Sequence, residues 1–189
     1  MDSQKSIRLN LGCGLTKIND FINVDIDHEV NPDRIWDLTQ VPWPWAANSA
    51  EVILLSHTLE HLEKSLHNMV FVEALRVLKR NGSLVLLYPE FKVCVNNYFR
   101  NEKGMKEFWE SCIYGRGTSK WDHHRSVTDS AEIKRALVDL GFQVNISKVQ
   151  DSVPYYSVTT AIKVHDLTTY EDVLNQEIFK TEAVNLKDS

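Results

Sequence analysis

Apolar residues come in two spacings along this chain. Short segments rich in apolar residues occur at about 7–11, 22–26, 34–38, 51–56 and 83–89, broken by single polar residues in the first three and nearly continuous in the last two. Runs of that length read as strands buried on both faces, the pattern of a parallel sheet. Between the fourth and fifth runs the spacing changes. Leu59, Leu62, Leu66, Met69, Val70, Ala74 and Val77 recur at helical intervals and predict a helix over about 58–79, with Thr58 as its N-cap and Asn81-Gly82 as a left-handed stop. A second amphipathic stretch places Ile133, Ala136, Leu137 and Leu140 on one face. Thr128-Asp129-Ser130 caps it, Glu132 completes a box-like pattern, and Gly141 ends it. Phe142–Val149 and Tyr156–Val164 are the last two strands.

The connections carry as much information. Only residues 15–21 separate the first glycine turn from the second strand, whereas a parallel crossover normally takes a dozen residues or more. The spacing predicts a single helical turn or an extended loop there. Pro42 and Pro44 keep 39–50 out of helix and central strand, and Trp43 and Trp45 are expected to pack on the sheet edge. Residues 91–127 mix aromatic and charged side chains and are expected to form one or two helices and a loop over the open strand ends. The chain divides into a short leader (1–6), one domain (7–164) and a polar tail (165–189), with a surface helix expected near 170–179.

Composition narrows the class. The 189 residues are 43% hydrophobic and 25% charged, as in an ordinary soluble domain with a full core. A net charge of −5 argues against a general phosphate-binding surface and so against nucleic acid. No apolar run reaches a membrane span, and Met1–Ser6 has no signal-like apolar region. Cys13, Cys94 and Cys112 lack paired spacing and read as reduced thiols of a cytoplasmic protein.

The chemistry begins at Leu9-Asn10-Leu11-Gly12-Cys13-Gly14, followed by Ile22-Asn23-Val24-Asp25-Ile26-Asp27. Gly12 and Gly14 permit positive φ and let a ligand reach the backbone. Asp25 ends the next strand, where a carboxylate can accept from two ribose hydroxyls. Together these describe an adenosine-bearing ligand lying across parallel strand ends. Lys17 stands where a dinucleotide fingerprint needs its third glycine, which weakens a pyrophosphate reading.

These segments, with Asp37-Leu38, Ser56-His57-Thr58-Leu59-Glu60-His61-Leu62 and Ser83–Pro89, resemble in order and spacing the class I S-adenosylmethionine (SAM) methyltransferases, specifically the small type 11 group, over about 7–164. The resemblance implies an α/β, Rossmann-like sheet of seven strands, mostly parallel with an antiparallel last strand, here with a shortened first crossover. It implies SAM as cofactor, bound by Asn10, Leu11, Gly12, Cys13, Gly14, Asp25, Ile26, Asp37, Leu38, Ser56 and His57. Asp37 and Leu38 correspond to the adenine position, although Asp37 could equally cap its own turn. The expected acceptor is a small molecule such as a sugar or surface-polysaccharide precursor. A nucleic-acid or protein methyltransferase, or a silent binding module of the same fold, stays open.

For a hydroxyl acceptor the candidate bases are His57, then His124 or Glu90. Glu90 could instead cap the next helix, and Trp121-Asp122-His123-His124-Arg125 could be a solvated loop. His57-Thr58-Leu59-Glu60-His61 matches H-x-x-E-H, a zinc-peptidase pattern. His57 is expected in the strand-to-helix turn, which breaks chelation with His61, so no metal is predicted.

Overall fold

The computed structural model describes residues 6–101, 104–148 and 156–164. The strands are β1 (Ile7–Leu11), β2 (Ile22–Asp25), β3 (Arg34–Ile35), β4 (Ala50–Ser56), β5 (Leu78–Pro89), β6 (Phe142–Lys148) and β7 (Tyr156–Lys163). The helices are α1 (His67–Val77), α2 (Phe91–Arg100), α3 (Lys106–Tyr114) and α4 (Ser130–Asp139). All seven strands join one sheet in the order β3-β2-β1-β4-β5-β7-β6. Strands β1 to β5 pair in parallel, while β7 runs antiparallel to both β5 and β6. This is the expected mixed sheet. Its core gathers Leu9 and Leu11 of β1, Ile53 and Leu55 of β4, Leu84 and Leu86 of β5, Phe71 and Leu75 of α1, and Ile133 and Leu137 of α4.

The short first crossover is a loop with no helical turn, the second of the two forms its length allows. Two asparagines do the work a helix would do. The Asn10 side-chain amide donates to the Thr16 carbonyl and to Asn23 Oδ1, at 3.0 and 2.9 Å. Asn23 in turn accepts from the Ile18 N–H and donates to the carbonyls of Ile18 and Phe21 and to Asp33. Backbone groups that would otherwise lack partners beside the sheet are thus satisfied by side chains.

The helix expected over 58–79 is three pieces. Residues Leu59–His61 and Lys64–Leu66 form 3-10 turns, and only His67–Val77 is α-helical. His57 turns the chain at φ 52°, and Leu62 is extended. Leu59 still reaches the core, so apolar spacing alone does not separate the two conformations. Thr58 takes the N-cap position of the first turn but makes no side-chain cap bond: its hydroxyl donates to the Leu11 carbonyl at 2.9 Å, clamping the turn after β4 to the end of β1. Asn81-Gly82 does not stop the helix either. The chain enters β5 at Leu78, and residues 79–82 bulge between the Ala50–Leu78 and Val52–Ser83 pairings.

The third strand ends earlier than the expected 34–38. Asp37 Oδ1 accepts from both the N–H and the hydroxyl of Thr39, which turns the chain away. Trp43 and Trp45 are buried as expected. Buried Glu73 accepts from the Trp43 N–H, and Arg76 bridges Glu73 to the carbonyls of Trp43 and Trp45. The proposed helix near 170–179 lies outside the described residues.

Candidate active site

The carboxyl ends of β1, β2 and β4 open into a cavity of about 880 Å³, roofed by α3 and the loop that follows it. Its floor is the turn after β1. The N–H groups of Gly12 and Cys13 both donate to the Val24 carbonyl, at 2.8 and 3.0 Å. The Gly14 N–H donates to Asp25 Oδ2 at 2.7 Å, and the Asp27 N–H donates to Oδ1 at 2.9 Å. Each Asp25 oxygen is therefore fixed by one backbone donor and keeps acceptor capacity toward the cavity.

The two glycines differ. Both have positive φ, 69° and 50°. A Cβ on Gly12 would stand 2.4 Å from the Thr58 methyl, so Gly12 is demanded by Thr58 and not by a ligand's approach. A Cβ on Gly14 would meet nothing within 4 Å. The open space belongs to Gly14.

Of the predicted cofactor residues, Gly12, Cys13, Gly14, Asp25, Ile26, Asp37, Leu38, Ser56 and His57 line the cavity. Asn10 and Leu11 are not among its lining residues; both are buried beneath the turn, which Asn10 braces. Burial, reinforced by the Asp25 charge, pushes the Cys13 thiol up to about 11, which keeps it an un-ionised wall group. At Asp37 the turn-capping alternative is realised through Oδ1.

The other half of the cavity is built by the turn after β4 and by the cover. Phe108, Ser111 and Cys112 of α3, with Arg116, Trp121, Asp122, His124 and Arg125, face His57, Glu60 and His61. His57 Nδ1 lies 3.3 Å from Glu60 Oε1, and a left-handed conformation holds the histidine at the rim. Strained non-glycine residues of this kind gather at functional sites. His124, sixty-seven positions downstream of His57, lines the same space, whereas His123 is not among the lining residues. Burial lowers the His124 pKa and so favours neutral imidazole.

Glu90 departs from its candidacy as a base. It does not line the cavity, and its Oε2 accepts from the Ser157 hydroxyl and the Ser130 N–H. Its carboxylate ties the end of β5 to β7 and α4. Glu60 enters the sequence reading only as the acid of the H-x-x-E-H pattern and is given no role of its own there. It is fully buried, and its Oε2 has no hydrogen-bond partner. The available signal was a charged residue set between Leu59 and Leu62 on an apolar face.

Comparison with known proteins agrees with this geometry. Residues 9–86 match the family described as a methyltransferase domain. No curated protein sequence matches the chain. Among solved structures, a SAM-dependent methyltransferase from Archaeoglobus fulgidus superimposes with TM-score 0.61 at 15% identity, covering 85% of this chain and 87% of that one. A SAM-dependent methyltransferase from Methanosarcina mazei gives TM-score 0.60 at 13% identity, covering 87% and 95%. The CurJ carbon methyltransferase gives TM-score 0.57 at 14% identity, with 87% of this chain covering 50% of that one.

Proposed function

We propose that this chain, a methyltransferase of the SAM-dependent class I fold, methylates a small acceptor held between the glycine turn and the α3 cover. The observation that carries this reading is the roofed cavity, with its two unlike halves. One half is lined by glycines and by the carboxylates of Asp25 and Asp37; the other by histidines, arginines and aromatic rings. A covered site of about 880 Å³ is on the scale of small-molecule pockets.

SAM, the cofactor of this family, supplies a methyl group already made electrophilic by its sulfonium. The residues present fit it. Asp25, pre-set by two backbone donors, would accept from the ribose hydroxyls. Asp37, through Oδ2, and Leu38 would meet the adenine, and Gly14 leaves open space beside the turn. Ser56 and His57 would border the amino-acid end.

The protein's remaining tasks are alignment, exclusion of water and management of one proton. For a hydroxyl acceptor, His57 takes that proton; Glu60 beside Nδ1 orients the ring and balances its charge. A carboxylate acceptor needs no base. Arg116 and Arg125, in the same half, suit an acceptor that also carries an anionic group. Among the described residues no helix is long and apolar enough to cross a membrane.

Transfer from methyl-labelled SAM tests the reading. The protein is incubated with pooled small metabolites, RNA and protein, and label is separated by size. Label is expected in the small-molecule fraction. His57→Ala should lower turnover by a far larger factor than it weakens SAM binding, read by calorimetry. Label found only on macromolecules overturns the acceptor assignment.

A further inference from the structure

Glu60, His61 and His124 form a cluster that methyl transfer by itself does not explain. A carboxylate oxygen of Glu60 and one ring nitrogen from each histidine lie within 4.8 Å of one another. The carboxylate is fully buried, and its Oε2 has no partner. Leaving a buried charged oxygen unpaired is strongly unfavourable, so its presence calls for a counter-charge. We propose that these three side chains bind a divalent transition-metal ion, with its open coordination positions facing the acceptor half of the cavity.

The donor set is two imidazoles and one carboxylate, a combination that suits zinc, manganese or ferrous iron and leaves sites for exogenous oxygen ligands. Donors about 2.1 Å from an ion sit roughly 3–4 Å apart, so an inward movement of about 1 Å completes the site. The backbone already holds the pieces together. The Glu60 carbonyl accepts from the N–H groups of Arg125 and Ser126, at 2.9 and 3.2 Å, which pins the loop bearing His124 onto the turn bearing Glu60. The two imidazoles meet edge to face, with ring centres 4.9 Å apart.

The tautomer of His61 also suits the role. Its Nδ1 lies 3.2 Å from the His123 carbonyl. A carbonyl only accepts, so Nδ1 carries the proton and Nε2 carries the lone pair. A backbone carbonyl on the far nitrogen is the usual outer partner of a metal-bound histidine. Glu60 can serve two partners, with Oε1 beside His57 and Oε2 toward the ion. The sequence pairs His57 with His61 and predicts no metal; the fold assembles a different set.

Metal binding stands without the methyl-transfer reading. The role given to the ion, holding and polarising the acceptor oxygen so that His57 can remove its proton, rests on that reading.

The test uses Co²⁺ as a spectroscopic probe on the full chain freed of metal, alongside calorimetry with SAM. One equivalent of Co²⁺ should bind with visible ligand-field bands. His61→Ala and His124→Ala should each weaken binding tenfold or more, while His123→Ala should not. SAM affinity should be unchanged in all three. Glu60→Gln should weaken Co²⁺ similarly, and the two histidine variants decide the matter if it fails to fold. Absence of stoichiometric Co²⁺, or binding indifferent to both His61 and His124, overturns the proposal. Loss of SAM binding in the unsubstituted chain overturns the methyl-transfer reading and leaves the metal site standing.

Discussion

Gly12 and Gly14 are two positions apart and are constrained by different neighbours. An alanine at position 12 drives a methyl into Thr58, whose hydroxyl holds the end of β1. Gly12→Ala should therefore lower stability by about 1–3 kcal/mol, the usual range for overpacking. Gly14→Ala meets no protein atom, and its left-handed backbone costs about 1–2 kcal/mol. It should weaken SAM tenfold or more with the fold intact. Denaturant titration and calorimetry on both variants check this, and the reverse pattern would exchange the two roles. At Asp25 the carboxylate accepts from two backbone donors of the turn and is the proposed ribose acceptor. Asp25→Ala should cost roughly 1.5–3 kcal/mol of SAM binding, the worth of hydrogen bonds to a charged group. Asp27, whose side chain accepts from the Glu29 N–H, should tolerate alanine with SAM affinity unchanged.

At the scale of elements, Asn23 is the least replaceable polar residue of the first crossover. Asn23→Ala removes the side-chain bonds to Asn10, Ile18, Phe21 and Asp33 at once, leaving Asp33 only the backbone N–H of residue 23. A loss of about 2–4 kcal/mol is expected, given about 1 kcal/mol net per bond and a further penalty for groups left buried. A midpoint shift below 1 kcal/mol would mean that water replaces the amide. The missing helix between β1 and β2 was legible from spacing alone, and so was the Asp129 cap of α4, whose carboxylate accepts from Ala131 and Glu132. The 3-10 turns at Leu59–His61 and Lys64–Leu66 were not, because Leu59, Leu62 and Leu66 keep a helical rhythm that a broken path also satisfies. That Gly12, Gly14 and Asp25 share one cavity was readable because the glycines follow the first strand and Asp25 ends the second. The meeting of His61 with His124 was not, since it depends on the Glu60 carbonyl capturing a loop more than sixty residues away.

For the molecule as a whole, His67 sets part of the acid limit of stability. Burial, with the nearby Lys64 charge, holds its pKa down to about 4, and its Nε2 faces the Leu59 carbonyl at 3.0 Å. The unfolded chain binds this proton near the ordinary value of about 6.5 and the folded chain does not, so between these limits the unfolded state holds more protons. The contribution is complete above pH 6.5, falls as pH drops toward 4, and levels off below. The slope from this group approaches about 1.4 kcal/mol per pH unit at its steepest. Denaturant midpoints measured from pH 4 to 7 should show this decline, and His67→Gln should flatten it. An unchanged slope in the variant would assign the acid limit to other groups.

Strand β7, described above as lying between β5 and β6, also fixes an order of events during synthesis. Among the described strands, β6 has no neighbour in the sheet except β7, which comes after it in the chain. On the ribosome, β1 to β5 can pair as they emerge. Residues 142–148 must wait, with a bare edge exposed, until residues 156–163 have left the exit tunnel and been laid down in the reverse direction. A nascent chain whose emerged part ends between Lys148 and Tyr156 therefore carries an unfilled slot along β5. At that length the slot along β5 and the bare edge of residues 142–148 are exposed together, a pair of strand edges for a chaperone to cover.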